Sequence, residues 1–313
     1  MAGGSELHQY LSEDLGKGDI TTDLLLGDRD PEVKAVITAN QGCVVAGLDE
    51  AEELFRGAGV QVLRKILDGE EISAGTQVMA LQGSAKAILA TERVALNFIM
   101  QMSGIATETR KFVRICRRLN PEVRIACTRK TTPGFRYYEK KAVAIGGGLT
   151  HRFRLDDMVL IKDNHLKLVP SVSKAVKKVR DSGYLGRVEV EVSSQEMALE
   201  AVRAGADVVM LDNFTPGDAA RAYRALKRLR KDVEVEVSGG IDARNIRDYA
   251  RSADVISIGA ITHSARAADF SLTVTEVVTD GEAEEARQLA REMAESLAEE
   301  MAKEHSAKRR PRI

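Results

Sequence analysis

The chain of 313 residues has no tryptophan, and its aromatic residues make up only 4% of the total. Its core must therefore be built from Val, Ile, Leu, Met and Ala rather than from stacked rings. Cysteine is scarce too. Cys43, Cys116 and Cys127 are odd in number and none stands in a CxxC pair, which indicates neither a disulfide framework nor a zinc site. Charge of one sign is not in excess: 46 Lys and Arg face 47 Asp and Glu, for a net charge of −1. The overall basic footprint of a nucleic-acid-binding protein is thus missing. No apolar run approaches the ~20 residues of a membrane span, and MAGGSELHQYLSEDLG lacks the basic and apolar regions of a secretory signal. These absences point to a reduced, cytoplasmic protein with neither nucleic acid nor membrane as partner.

What is present changes rhythm near residue 104. Before it, SELHQYLSEDLG reads as a helix, and VKAVITA, CVVAG, VQVLRKIL and TQVMAL read as strands between Gly and Asp turns. A helical stretch follows from Ala85 to about Met102, with Ser103 and Gly104 as its break. This is an α+β pattern with a small antiparallel sheet. From Pro121 onward VRIAC, MVLI, VEVEV, DVVML, a second VEVEV and DVISI alternate with amphipathic helices, the spacing of parallel βαβ units. Six strands, with AVAIGG as a candidate seventh, imply an α/β barrel that is open or incomplete. The expected division is an N-terminal domain over 1–104, rejoined by 265–280, and a barrel over 105–264. A C-terminal helix over 281–303, with Leu289, Met293, Leu297 and Met301 on one face, and a disordered basic tail over 304–313 complete it.

The cations, balanced overall, are not spread evenly. Arg129, Lys130, Arg136, Lys140, Lys141, Arg152, Arg154 and Lys162, with His151 and His165, crowd the stretch from Thr128 to Leu166. In a parallel barrel the site is built where strands end, and the residues following these strands are chemically coherent. Thr128, Arg129 and Lys130 follow VRIAC; Lys162 follows MVLI; Asp212 ends DVVML; Ser238, Gly239 and Gly240 end the second VEVEV; Gly259 and Ala260 follow DVISI. Alternation puts Glu189 and Glu191 on one face, and likewise Glu234, Glu236 and Ser238. Helices cover the outside, so these acids must point inward, where Arg129, Lys130 and Lys162 can neutralise them. SGGIDARNI, with a helix starting at or near Asp242, reads as a phosphate cradle, as does IGAITHS one strand later. Glu191 and Asp212 are out of place beside an anion unless a metal lies between, and carboxylates with phosphate oxygens suit Mg²⁺.

EDLGKGDITTDLL, ERVALNFIMQMSGIAT, TRKTTPGFR, GGGLTHRFRLDDMVLIKDNHL, VMLDN, VSGGI and ISIGAITHS together, over roughly residues 10 to 275, resemble quinolinate phosphoribosyltransferases. The resemblance implies a type II phosphoribosyltransferase: an N-terminal α/β sandwich, an open α/β barrel, and a homodimer or larger assembly. It implies transfer of phosphoribosyl from phosphoribosyl pyrophosphate to quinolinate with loss of CO₂, needing Mg²⁺ and giving nicotinate mononucleotide for NAD synthesis. By the same resemblance Thr128, Arg129, Lys130, Arg152 and Lys162 cradle the dicarboxylate with His151 adjacent, and Arg93 completes that pocket from a partner subunit. Glu191 and Asp212 hold the ribose hydroxyls and Mg²⁺, while Ser238, Gly239, Gly240, Gly259, Ala260 and His263 surround the 5-phosphate. Lys130, Lys162, Glu191 and Asp212 are the expected catalytic set.

Plainer roles are expected elsewhere. Glu189, Glu234 and Glu236 read as internal ion-pair partners; Arg136, Lys140 and Lys141 as a solvated helix face, with contact to pyrophosphate as the alternative for some of them; Arg154 as structural; His165 as a cap as readily as a ligand; Asp14 and Asp19 as turn-formers. Two rivals remain: a molybdenum-transport-associated homologue of the same fold, and a non-catalytic sensor of phosphoribosyl compounds. The full cation set weighs against the first, and the retained Glu191 and Asp212 against the second.

Overall fold

A computed structural model describes residues 4–278. Helices α1 (Gly4–Leu15) and α2 (Ile20–Leu26) lead into β1 (Glu32–Ala39) and β2 (Cys43–Val44), then α3 (Leu48–Gly57), β3 (Gln61–Lys65), β4 (Glu71–Ile72), β5 (Gln77–Ser84) and α4 (Ala85–Arg117). Asp19 caps α2 by accepting from the Thr22 amide at 3.1 Å, the turn-forming role its position suggests. Strand β1 alternates strictly between buried and half-buried residues, so one of its faces covers the core.

The second half runs β6 (Arg124–Ala126), α5 (Arg136–Ile145), β7 (Val159–Ile161), α6 (Asp163–Leu168), α7 (Val172–Asp181), β8 (Val188–Val192), α8 (Gln195–Arg203), β9 (Val208–Asp212), α9 (Pro216–Leu229), β10 (Glu234–Ser238), α10 (Ile246–Tyr249), β11 (Val255–Ser257), α11 (Ala260–His263) and β12 (Phe270–Val277). Six strands pair in parallel in the order β6-β11-β10-β9-β8-β7. The expected candidate seventh, AVAIGG, is instead the end of α5. A short apolar run does not distinguish strand from helix; here Tyr138, Glu139, Ala142 and Val143 are buried at helical spacing. The sheet is open between β6 and β7, and the chain crossing that gap touches β6 through the bridge of Ala126 to Leu149.

Two connections make the halves one body. Strand β12 returns after the barrel to pair antiparallel with β1, completing the sheet β12-β1-β5-β3. Helix α4 does not break at Ser103 and Gly104 but continues through them for 33 residues. The Ser103 hydroxyl accepts from the Ala46 amide at 2.9 Å and donates to the Ala46 carbonyl at 3.1 Å. A methyl group on Gly104 would lie 2.1 Å from the Arg266 carbonyl oxygen. Ser103 is there to bond Ala46, and Gly104 to allow close approach of the returning chain; neither ends the helix. Gly104→Ala is accordingly expected to destabilise the protein by about 1–3 kcal/mol, the range for overpacked sites. Thermal or urea unfolding of the variant checks this; an unchanged midpoint would contradict it.

The expected C-terminal helix over 281–303 and the basic tail over 304–313 lie outside the described residues. No helix among the described residues is long and apolar enough to cross a membrane.

Candidate active site

Strand register arranges the barrel interior in tiers. Glu191 pairs with Met210 and Met210 with Glu236; one step toward the strand ends, Asp212 pairs with Ser238. The valines of β8 and β10 face outward and are buried, so the inward acids have no exit to bulk water except along the lumen. Glu189 is fully buried and Glu236 nearly so.

Their neutralisation differs from the sequence expectation, which gave that task to Arg129, Lys130 and Lys162. The chain crossing the gap between β6 and β7 reaches in with His151, whose Nε2 lies 3.4 Å from Glu189 and 3.3 Å from Glu236. Burial disfavours a charged ring, but the two carboxylates outweigh it and push His151 up to about 10. The Arg152 amide, 2.8 Å from Nδ1, favours a lone pair there. Burial and the neighbouring Glu236 push Glu189 up in turn. Glu236 also accepts from the Ser257 hydroxyl at 2.5 Å. Glu234 faces the opposite end of the barrel and pairs with Arg124 and Arg187.

Of the expected cations only Lys162 meets an acid among the described residues, forming an ion pair with Glu191. Its own amide donates to His165 Nδ1 at 2.9 Å, so His165 serves as a cap at the start of α6. Arg129 keeps a buried Nε with no partner among the described residues, and Lys130 is exposed at the lumen mouth. Neither is therefore engaged by the barrel's own acids among the described residues.

The first of the two glycine loops expected to cradle phosphate differs in form from that expectation. No helix starts at Asp242: α10 begins at Ile246 and has four residues, while Asp242 is held by Arg244 and Asn245. The cradle is instead a tight turn. Gly239 and Gly240 have φ of 91° and 60°, which side chains rarely tolerate, and a methyl on Gly239 would lie 2.3 Å from the Asn213 amide oxygen. Asn213 donates its backbone N–H to the Ser238 carbonyl at 2.9 Å and its side-chain N–H to Asp212 at 2.7 Å. These bonds bring Asp212, Ser238 and Gly239 together. At the next strand end the Thr262 hydroxyl donates to the Lys130 carbonyl at 2.7 Å. Gly259 would place a methyl 3.1 Å from Lys130 Cδ and 3.2 Å from His263 Nε2, so Lys130, Gly259, Ala260 and His263 form a second group.

The helix α5 was expected to show a solvated cationic face, and it does not. Lys140 is fully buried. Lys141 pairs with Glu50 at 2.8 Å and Asp49 at 3.3 Å. Arg136 donates to Thr131 at 2.9 Å and to the Phe153 carbonyl at 3.0 Å. Buried Glu139, pushed up chiefly by desolvation, accepts from the Thr132 amide at 3.1 Å and so docks the TTPG loop. Arg154 is 72% exposed and pairs with Asp156 and Asp157. Arg93 is exposed on α4, with no ion pair or hydrogen bond among the described residues. Its neighbours Val94 and Asn97 line a cavity of about 610 Å³ with Tyr10, Thr132 and Phe135.

Comparison with known proteins places the chain in a family. The family model for the quinolinate phosphoribosyl transferase N-terminal domain matches residues 19–103, and that for the C-terminal domain matches 105–273. The chain is 46% identical to a probable nicotinate-nucleotide pyrophosphorylase (carboxylating) of Methanothermobacter thermautotrophicus over 272 residues, 86% of this chain and 97% of that one. It is 38% identical over 241 residues to the human nicotinate-nucleotide pyrophosphorylase (carboxylating), covering 76% of this chain and 81% of that one. Among solved structures, the nicotinate-nucleotide pyrophosphorylase of Ehrlichia chaffeensis superposes with a TM-score of 0.82 at 34% identity, over 88% of this chain and 99% of that one. By both domain models and by this identity, the chain belongs to the quinolinate phosphoribosyltransferase family.

Proposed function

We propose that the lumen mouth joins quinolinate to phosphoribosyl pyrophosphate, releasing pyrophosphate and CO₂ and leaving nicotinate mononucleotide. The observation that carries this reading is the meeting of two unlike half-sites. One holds cations left free by the barrel's own acids, and the other holds glycine turns with paired carboxylates. The Thr262–Lys130 hydrogen bond ties the first to the second.

Quinolinate brings two carboxylates, matched by Arg129, Lys130, Arg152 and Lys162, with Thr128 and His151 beside them. Arg offers a planar fork for a carboxylate, and Lys a compact charge. The glycine amides at 239, 240 and 259, with Ser238, Ala260 and His263, take the 5-phosphate. Glu191 and Asp212 take the ribose hydroxyls and face the positive charge that develops at C1 as pyrophosphate departs. Lys162 holds the Glu191 carboxylate in place through their ion pair. The pyridine nitrogen attacks C1; the pyridinium then accepts the electron pair freed when the 2-carboxylate leaves as CO₂, and C2 takes up a proton.

The donor set fits Mg²⁺ in its chemistry: two carboxylates from adjacent parallel strands are hard oxygen ligands, and Asp212 is only half-buried. Bound there with the pyrophosphate, Mg²⁺ would neutralise its departing charge. Arg93, exposed on α4, closes the acceptor pocket of a second copy in a homodimer or larger assembly. Three free, buried thiols suit a reducing cytoplasm.

Three outcomes are expected. Lys130→Ala and Lys162→Ala should each lose about 2–4 kcal/mol of transition-state stabilisation, read as roughly 30- to 1000-fold in kcat/KM by pyrophosphate release; wild-type turnover in both removes the assignment. Excess EDTA should abolish activity, and Asp212→Asn should raise the Mg²⁺ concentration giving half-maximal rate. Full activity in EDTA, or an unshifted requirement, speaks against the metal. Finally, Arg93→Ala and Lys162→Ala should be nearly inactive singly yet recover about a quarter of wild-type activity after equal mixing and reassociation. Inactive mixtures proven by mass to contain heterodimers would show that Arg93 does not act across subunits.

A further inference from the structure

Lys140 has the length and charge of a surface residue, yet it is completely buried on α5. An ammonium group carries three N–H donors and no acceptor. Here it has three acceptors: the Thr150 carbonyl, the Arg152 carbonyl at 3.0 Å and the Cys127 sulfur at 3.6 Å. The two carbonyls bracket His151, a residue held at φ 50° without being glycine. Cys127 directly precedes Thr128, Arg129 and Lys130 and also donates its thiol to the Thr150 carbonyl at 3.3 Å. A single nitrogen thus joins the two backbone segments that present the acceptor cations.

Stability does not account for a lysine here. Desolvating an ammonium is costly, and an apolar side chain of similar volume commonly serves a core as well or better. Burial pushes Lys140 below the usual lysine range, the contact with Cys127 works against that shift, and the nearby charges of Arg136 and Arg129 add to it. What an apolar residue cannot do is hold two carbonyls on either side of a left-handed residue.

We propose that Lys140 is the positioning residue of the acceptor pocket, fixing the backbone around His151 and at the end of β6 so that Arg152 and Arg129 meet the dicarboxylate. It does not itself touch the substrate. The 5-phosphate turn at Ser238, Gly239 and Gly240 lies on a loop that none of the three Lys140 contacts reaches, so the effect of losing Lys140 falls on the acceptor.

This inference rests on quinolinate being the acceptor, which wild-type turnover tests separately. Lys140→Met keeps the volume and removes all three donors. It should raise the KM for quinolinate at least tenfold and leave the KM for phosphoribosyl pyrophosphate within twofold. Calorimetric titration with quinolinate alone should weaken in parallel. A quinolinate KM within twofold of wild type in the folded variant would overturn the assignment. So would an equal rise in both KM values, which marks general distortion. Should Lys140→Met fail to fold, Lys140→Gln, which keeps two N–H donors without the charge, is expected to show a smaller rise limited to quinolinate. An unchanged quinolinate KM in that variant would likewise overturn it.

Discussion

A parallel barrel wrapped in helices has only its lumen for side chains that must keep a charge, and charges confined there must be balanced among themselves. The pairing of His151 with Glu189 and Glu236 is the balance on which the rest of this lumen depends. The acids come from rigid strands and the histidine from the chain that crosses the open side. Electrostatics therefore draws the crossing segment inward and carries Arg152 with it. Removing one partner would leave a buried charge uncompensated, a loss of about 3–5 kcal/mol.

The same balance decides which cations remain free. Because His151 answers the two deepest acids, and Lys162 answers Glu191, Arg129 and Lys130 are not consumed internally. In the proposed reading, a site for a dianion and a site for a sugar phosphate then share one mouth without cancelling each other. The tight turn at Gly239 and Gly240 contributes in another way. It brings Asn213 against Ser238 and aligns Asp212, so a backbone constraint sets the position of a carboxylate.

Much of this was legible in the sequence. The six barrel strands, the alternation of glutamate with valine, and the strand-end residues follow from period-two patterning and the geometry of parallel sheets. What was not legible depends on contacts far along the chain. Ser103 and Gly104 resemble a helix break because the carbonyl of Arg266, which demands a small residue, is invisible locally. Lys140 resembles a solvated residue because its acceptors, the carbonyls of Thr150 and Arg152, belong to a loop with no periodic signal. The two glutamates that hold the His151 ring lie on strands β8 and β10, far along the chain from it. Nothing in local propensity links those three positions.

The pairing of β1 with β12 has a consequence for how the chain is made. During synthesis β1, β5 and β3 emerge early, but the position beside β1 stays vacant until Phe270–Val277 has left the ribosome. For all that time Val33, Ala35 and Ile37 sit on an open sheet edge, the kind of edge that recruits other strands. The barrel must be translated in full before the first sheet is closed. Native assembly is thus a race between the last strand and any foreign one, and slowing translation late in the chain would lengthen the exposure.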